Sequence, residues 1–356
     1  YSLAATATEN YDEVRSHVKR FIGADETGEV VFTKGTTDSI NLVARSFGGS
    51  SIDEGDEILV LETEHHSNIL PWQMLCQEKK AHLKVIPVSD DGDLILEDFE
   101  SLLSDKTKIV AIAHISNGTG VIHPIELIIR LAHSAGAKVL VDAAQSAGHL
   151  ELNVKDLDVD FLAFSGHKVY GPTGIGVLYG KKHLLDAMAP IQGGGDMVDK
   201  VSFEASTYQP PPLKFEAGTP NIADVIGLGA ALKFIEKVTL EKIREHEAKL
   251  TEYAYLKLKQ FEGIVFVGQS QVEFLPNRSS LLSFHFPGIH CLDIGTLLDL
   301  RGICVRTGHL CCQPALKRFG VSSLIRASFG VYSTKKDIDI FVVGLSEVLS
   351  LLSCSV

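Results

Sequence analysis

The chain has no long hydrophobic run. None of its 356 residues lies in an apolar stretch approaching the roughly 18 residues that a membrane-spanning helix needs, so a membrane protein is not expected. The first residues also lack the charged segment and the apolar stretch of a targeting signal. The sequence begins with Tyr1 and not with Met, so the absence of a targeting signal does not indicate the compartment of the protein.

Cysteine is scarce and scattered along the chain. The six cysteines show no C-x-x-C spacing, which argues against a zinc cage and against a dense disulfide framework. We therefore expect a soluble protein of a reducing compartment, either the cytoplasm or an organellar matrix or stroma. The cysteines are Cys76, Cys291, Cys304, Cys311, Cys312 and Cys354.

Basic residues are outnumbered by acidic ones. The chain has 33 Lys and Arg against 45 Asp and Glu, a formal net charge of −12, and the cations form no stripe. Nucleic acid and anionic membrane surfaces are therefore poor candidates for partners. A hydrophobic fraction of 45% with 22% charged residues is ordinary for a soluble globular protein.

Seven short, mostly β-branched apolar runs alternate with helical patterns between residues 28 and 180. Several of them lack polar alternation, as expected of strands that are buried on both sides. This order predicts an α/β fold, with a mainly parallel seven-stranded sheet covered by helices on both faces. The runs lie at 30–32, 58–61, 83–86, 109–112, 139–141, 161–164 and 175–179. Residues 125–133 read as an amphipathic crossover helix, with Gly136 where a C-terminal glycine cap belongs.

The last third of the chain reads as a smaller α/β domain. We place the boundary between a large domain, 1–235, and a small C-terminal domain, 236–356. Before it, residues 190–222 are rich in Gly and Pro, and so long an excursion is usually functional. The small domain has strand-like runs at 264–267 and 281–284 and helical patterns at 238–262, 291–300 and 335–353.

A lysine and an aspartate follow two of the predicted strands. Lys168 comes after the sixth run, at the kind of strand end where α/β sheets bind ligands. A desolvated lysine there is a good nucleophile for an aldehyde, although an isolated lysine usually faces solvent. Asp142 follows the fifth run and supplies the anion that a pyridinium nitrogen needs, unless it only caps a helix. Together they predict pyridoxal 5′-phosphate (PLP), bound by Lys168 as a Schiff base.

Three further groups point to the same edge of the sheet. Residues 34–37, Lys-Gly-Thr-Thr, precede a helix whose N-terminus suits a phosphate. His65 follows the second run and suits stacking on a planar ring. Its neighbour His66 raises the alternative of a metal site, but no third ligand stands at useful spacing, so no metal is expected. Asn117 follows the fourth run, and Gln145 lies one turn beyond Asp142.

With these motifs in place, the chain resembles fold-type I PLP enzymes of aminotransferase class V. Within that class it is similar to the SUF-type (group II) cysteine desulfurases, which are close to the selenocysteine lyases. The resemblance covers nearly the whole chain. It is carried by residues 34–37, 64–66, 142–145, 165–168, 215–221 and 306–311.

The resemblance implies a role for each matching position. Lys168 would hold the cofactor, Asp142 would pair with its pyridine nitrogen, and His65 would stack on its ring and act in catalysis. Thr219 looks like the threonine that reaches across a homodimer to the partner's phosphate, so a homodimer is implied. The cofactor contacts would be Lys168, Asp142, Gln145, His65, Thr36, Thr37, Asn117, Ser165, His167 and Thr219, with Gln145 at the phenolic oxygen and Thr37, Ser165 and His167 at the phosphate.

The motif of the small domain implies the reaction. In the family, the cysteine at the position of Cys311 takes sulfur from L-cysteine as a persulfide and releases alanine, although an arbitrary cysteine is usually an inert small hydrophobe. His309 and Arg306 stand close enough in sequence to favour its thiolate. Arg326 matches the arginine that grips the substrate carboxylate, with Arg306 and Asn117 nearby.

Cys312 has two alternative roles, and the chain departs from the family pattern at two places. Cys312 is either filler or a second persulfide acceptor, and the other four cysteines are expected to be structural. Leu310 stands where the family usually has a second histidine. The resemblance implies that family members carry an N-terminal segment of the small domain before the position of Tyr1, and we expect this segment to be absent from the sequence as given.

The leading hypothesis is a homodimeric cysteine desulfurase that passes sulfur to an acceptor protein for iron–sulfur cluster or related cofactor assembly. A selenocysteine lyase acting on L-selenocysteine is the first alternative. An aminotransferase or other lyase of class V would have no use for Cys311. A non-catalytic scaffold that binds a sulfur-transfer partner is the alternative from another class of protein.

Overall fold

A mainly parallel sheet forms the centre of the molecule. The computed structural model describes residues 1–268 and 278–353. Seven strands of this part of the chain pair in the order β1-β7-β6-β5-β4-β2-β3, and β7 alone runs antiparallel to its neighbours. They are β1 Gly28–Thr33, β2 Glu57–Leu61, β3 His82–Ile86, β4 Thr107–Ala113, β5 Lys138–Asp142, β6 Phe161–Ser165 and β7 Gly176–Lys181. The predicted seven-stranded sheet is confirmed.

Apolar side chains on both faces of the sheet explain the uninterrupted runs. Along β2, Leu59 and Leu61 enter the core on one face, whereas Ile58 and Val60 enter the core on the other. Successive side chains of a strand point to opposite faces, so a strand with two buried faces carries no polar alternation. All five residues of β2 and of β6 are buried.

Helices cover both cores. In α6, Ile125, Ile128, Ile129 and Ala132 form the buried stripe of an amphipathic helix, and Gly136 beyond its end has φ +83°. The predicted crossover helix and its glycine are thus found. The helices of this part are α1 Ser2–Phe21, α2 Thr36–Val43, α3 Gly49–Ser51, α4 Leu70–Lys79, α5 Leu96–Leu102, α6 Ile125–Ser134, α7 Lys182–Ala187 and α8 Ile222–Val238.

Short helical turns and a hairpin complete this part of the molecule. A π-helix, Ala44–Gly48, follows α2, and 3₁₀ helices lie at His66–Asn68, Gly166–Lys168 and Leu213–Phe215. The Gly- and Pro-rich excursion contains the hairpin of β8 Val198–Val201 and β9 Ser206–Tyr208.

A smaller antiparallel sheet with its own core follows. Its order is β10-β11-β13-β12, and α9, α10 and α12 pack on it around residues such as Phe284 and Leu345. The predicted division between residues 235 and 236 falls in the last turn of α8 and stays a prediction. The elements are α9 Leu240–Leu258, β10 Val265–Phe266, β11 Leu281–His285, α10 Cys291–Asp299, β12 Arg306–Gly308, α11 Gln313–Arg318, β13 Leu324–Ser328 and α12 Lys335–Ser353. Among the helices of the described residues, none is long and apolar enough to cross a membrane.

Candidate active site

Lys168 lies in the 3₁₀ helix Gly166–Lys168, directly after β6. The backbone around it is tightly packed. A Cβ added at Gly148 would lie 2.7 Å from the carbonyl oxygen of Lys168, and one at Gly171 would lie 2.9 Å from that of Gly166. Glycines therefore permit the close approach that places this lysine at the end of the strand.

Lys168 and Asp142 act on each other electrostatically. Burial lowers the pKa of the Lys168 amine, and the negative charge of Asp142 partly offsets this. Burial likewise raises the pKa of Asp142, against the opposing effect of Lys168. One oxygen of Asp142 accepts a hydrogen bond from the backbone N–H of Ala144 at 2.8 Å. The alternative was that Asp142 caps a helix. No helix follows Asp142 directly, and its hydrogen bond with Ala144 closes a local turn instead.

Glu64 is a buried acid beside Asp142, and the sequence motifs assigned it no role. Burial raises its pKa to about 8, with a smaller contribution from the charge of Asp142. Its carboxyl accepts from the backbone N–H of Ala113 at 2.7 Å and from Asn68 at 2.8 Å. Glu64 therefore fastens the turn that carries His65 to the end of β4.

His65 stands at the start of the 3₁₀ helix His66–Asn68. Its Nδ1 accepts a hydrogen bond of 3.1 Å from the backbone N–H of Ser67, so Nδ1 carries no proton. Burial, reinforced by the positive charge of Lys168, lowers the pKa of His65 to about 4. The imidazole is therefore neutral at neutral pH.

Hydroxyl groups gather at the N-terminus of α2. The Ser165 hydroxyl accepts from the backbone N–H of Thr36 at 2.8 Å and lies 2.7 Å from the Thr36 hydroxyl. The Thr37 and Ser67 hydroxyls are 2.7 Å apart, and Ser67 was not among the predicted residues. His167 is exposed. Such a group of donors at a helix N-terminus suits a phosphate.

Cys311 lies on the loop of residues 309–312, which we call the nucleophile loop. Its thiol is half-buried and close enough to Lys168 to act on the pKa of the amine. The backbone N–H of Cys311 donates to Nδ1 of His309 at 3.3 Å. The nucleophile loop thus brings the predicted cysteine from the C-terminal part of the chain to the lysine that follows β6.

Cys312 lies near Arg326, whose positive charge partly offsets the effect of burial on the pKa of its thiol. Its side chain is fully buried, and burial raises its pKa to about 12. Of the cysteines expected to be structural, Cys76 and Cys291 are buried and Cys304 is exposed, while Cys354 lies outside the described residues.

Arg326, on β13, reaches the same cluster. It donates a hydrogen bond of 2.9 Å to the backbone carbonyl of Asn117. Its Nε is buried and has no hydrogen-bond partner within 1–268 and 278–353. Arg306, paired with Arg326 across β12 and β13, is exposed. A buried donor without a partner is costly, so Arg326 is suited to receive an anion.

Two further residues predicted to contact the cofactor are Gln145 and Thr219. Gln145 is half-buried in the turn after β5. Thr219 is exposed and lines a cavity of about 460 Å³ together with Lys34 and Asp38, whose lining does not include Lys168.

The donor set fits PLP. A desolvated amine, a buried carboxyl, a neutral imidazole and hydroxyls at a helix N-terminus meet the needs of an aldehyde, a pyridine nitrogen, a ring and a phosphate. No group of three or more possible metal ligands occurs among the described residues.

Comparisons with known proteins point to one family. The aminotransferase class-V profile matches residues 1–341. A probable cysteine desulfurase of Halalkalibacterium halodurans is 47% identical over 347 residues, which cover 98% of this chain and 84% of the relative. Probable cysteine desulfurase 1 of Mycobacterium leprae is 47% identical over 96% of this chain, but the chain spans only 55% of that relative's length.

A solved structure gives the same answer for the fold. The cysteine desulfurase CsdA from Escherichia coli superimposes with a TM-score of 0.92 at 41% identity, covering 99% of this chain and 86% of CsdA. The resemblance found in the sequence motifs is thus confirmed over almost the whole chain, which belongs to the aminotransferase class-V family.

Proposed function

We propose that the protein is a PLP-dependent cysteine desulfurase. The observation that carries the proposal is the hydrogen bond of 2.7 Å from the backbone N–H of His66, next to His65, to the carbonyl of Cys311, which holds the cysteine in the cluster of Lys168. A PLP enzyme that only moves amino groups has no need of a thiol there. The curated relatives are named cysteine desulfurases, which supports the same reaction.

The residues proposed to hold PLP are those of the cluster at the sheet edge. Lys168 would bind its aldehyde, Asp142 would face its pyridine nitrogen and Gln145 its phenolic oxygen, and His65 would lie on its ring. When bound, PLP supplies an electron sink for the substrate. The phosphate would be held by Thr36, Thr37, Ser165 and His167, with Thr219 contributed by the second subunit of a homodimer.

Lys168 is proposed to move the proton of the substrate's Cα. Burial lowers the pKa of its amine, so more of the amine is neutral and able to accept a proton. The negative charge of Asp142 limits this decrease.

Arg326 is proposed to bind the α-carboxylate of the substrate. Its NH1 is already engaged by the carbonyl of Asn117, whereas its buried Nε lacks a partner among the described residues. A carboxylate would satisfy Nε and set the substrate at a defined angle to Lys168. Arg306 is exposed and would act at the entrance.

Sulfur transfer is proposed to occur at Cys311. The thiolate attacks the sulfur of L-cysteine, an S–S bond forms, and the C–S bond of the substrate breaks with its electron pair remaining on carbon. Protonation of that carbon and return of a proton to Cα by Lys168 complete L-alanine, and Cys311 retains the sulfur as a persulfide. An acceptor protein would then take the sulfur, for iron–sulfur cluster or related cofactor assembly.

Mass spectrometry after addition of L-cysteine to the holoenzyme tests the function. We expect one extra sulfur on Cys311, release of alanine, and loss of both in Cys311→Ala, with the visible absorbance of bound PLP retained. The matched control is Cys312→Ala, which removes the neighbouring thiol and keeps that of Cys311. This variant should still form alanine. Normal alanine release by Cys311→Ala would disprove the proposal, and L-selenocysteine run in parallel tests the lyase alternative.

A further inference from the structure

Two consecutive residues of the nucleophile loop adopt an unfavourable backbone conformation. Leu310 has φ +51° and Cys311 has φ +56°. Residues with a side chain rarely adopt this left-handed region, and two in succession need support from their surroundings. The position of the Cys311 thiol therefore depends on contacts outside the loop.

Both carbonyl groups of these residues are held by the part of the chain that carries the large sheet. The side-chain amide of Asn117, after β4, donates to the carbonyl of Leu310 at 2.7 Å. The backbone N–H of His66, after β2, donates to the carbonyl of Cys311 at 2.7 Å. Each strained residue thus has one anchor.

The ring of His66 provides a further contact. Its Nε2 accepts a hydrogen bond of 3.1 Å from the backbone N–H of Gln313, the first residue of α11. An imidazole nitrogen accepts only when it carries no proton, so this bond needs the neutral ring. Burial lowers the pKa of His66, and so does His309, whose ring centroid is 5.8 Å away.

We propose that His66 is a positioning residue that holds the nucleophile loop, and with it Cys311, through its backbone N–H and its neutral ring. The two adjacent histidines then have separate tasks, His65 at the cofactor and His66 at the loop. This inference rests on the proposed function only where it gives the loop a role in catalysis. The hydrogen bonds of His66 with Cys311 and Gln313 are independent of that function.

Two amide side chains distinguish the ring nitrogens of His66. In His66→Gln the side-chain amide reaches the position of Nε2 and can present an oxygen to Gln313, whereas in His66→Asn it reaches only that of Nδ1. Both keep the backbone N–H, so the comparison isolates the ring contact. His66→Ala, which also lacks the acceptor, is the second loss variant should His66→Asn prove unstable.

The direct measurement is amide hydrogen exchange at Gln313 in the full-length holoenzyme. We expect exchange about tenfold faster in His66→Asn and His66→Ala, as for the loss of one hydrogen bond, and close to the wild-type rate in His66→Gln. The kcat for alanine should fall about tenfold in the two loss variants, with little change in KM. His183→Asn, at an exposed site on α7, is the matched control.

Equal exchange at Gln313 in wild type and His66→Asn would overturn the proposal, as would equal acceleration in His66→Asn and His66→Gln. Failure of the desulfurase proposal gives a result different from these two outcomes. In that case the wild type releases no alanine, yet the exchange rates of the variants still report whether the ring holds the loop.

Discussion

Arg326 donates a hydrogen bond of 2.9 Å to the backbone carbonyl of Asn117, whose side chain holds the nucleophile loop. The arginine proposed for the substrate and the loop that carries Cys311 thus share one residue. We expect a substrate that shifts Arg326 to act through Asn117 on the position of the thiol.

Arg326→Lys should raise the KM for L-cysteine about 10- to 100-fold. A lysine lacks the planar fork that serves the Asn117 carbonyl and a carboxylate together, and a hydrogen bond to a charged group contributes about 1.5–3 kcal/mol. Steady-state alanine release measures the effect. Arg301→Lys, at an exposed position, should leave KM unchanged, and an equal effect of both substitutions would contradict the assignment.

Gly118→Ala should displace the nucleophile loop. A Cβ at Gly118 would lie 2.8 Å from Sγ of the buried Cys312, an overpacking that costs about 1–3 kcal/mol. Urea unfolding and alanine release should both report the loss. Gly49→Ala, where nothing lies within 4 Å of the added Cβ, should cost no stability.

A double-mutant cycle identifies the clash. Combining Gly118→Ala with Cys312→Ala should recover stability by a coupling energy of about 1 kcal/mol or more, because the opposing sulfur is gone. Simple additivity of the two single substitutions would contradict the contact.

Glu64 should make stability fall as the pH rises. Its pKa is about 8 in the folded chain against 4.5 ordinarily, so between these values the folded state binds more protons than the unfolded state. The free energy of unfolding therefore decreases as the pH rises through this window and levels off above it. Urea unfolding across the window measures this slope.

Glu64→Gln should reduce that slope, because an amide does not ionise. It should also lower stability at acidic pH, because an amide has one accepting oxygen whereas both carboxyl oxygens of Glu64 accept, one from Ala113 and one from Asn68. Glu262→Gln, at an exposed carboxyl, should keep the wild-type slope. An unchanged slope in Glu64→Gln would show that another group causes it.

Cys312 should resist alkylation in the folded holoenzyme. Its thiol is fully buried and has a pKa of about 12, whereas reaction with iodoacetamide requires an accessible thiolate. Peptide mass spectrometry after short exposures should show modification of Cys304, which is exposed, well before that of Cys312. Equal rates for the two thiols would reopen Cys312 as a persulfide acceptor.

Mixed dimers should reveal whether Thr219 acts across subunits. We expect Lys168→Ala and Thr219→Ala homodimers each to be impaired. In a mixed dimer, one site combines an intact Lys168 with the partner's intact threonine, so up to half of the wild-type activity should return. No recovery in verified mixed dimers would place Thr219 in its own subunit's site.

Much of the fold could be predicted because the relevant signals are local. The apolar run 58–61 predicted β2, and the spacing of apolar residues in 125–133 predicted α6. Asp142 and Lys168 could be named because Asp142 directly follows one such run and Lys168 stands shortly after another, and parallel strands end at a common edge.

Glu64, Ser67 and His66 had no assigned role, although all three stand in or beside the histidine motif. Their roles depend on partners elsewhere, such as Ala113 for Glu64 and Gln313 for His66. Side-chain identity reveals a capacity to bond but not the partner. An acid shortly after a predicted strand and next to two histidines was the available signal for Glu64.

The sequence by itself determined the seven strands of the large sheet, the crossover helix α6 and the chemistry of each motif, because burial on one or two faces leaves its period in neighbouring residues. Only the tertiary structure decided that Cys311 lies near Lys168, that the buried Nε of Arg326 has no hydrogen-bond partner among the described residues and that Cys312 is fully buried. The hydrogen bonds of Asn117 with Leu310 and of His66 with Gln313 join residues that are 193 and 247 positions apart. Such contacts form where the nucleophile loop and the start of α11 meet the segments that follow β4 and β2, and no local pattern records them.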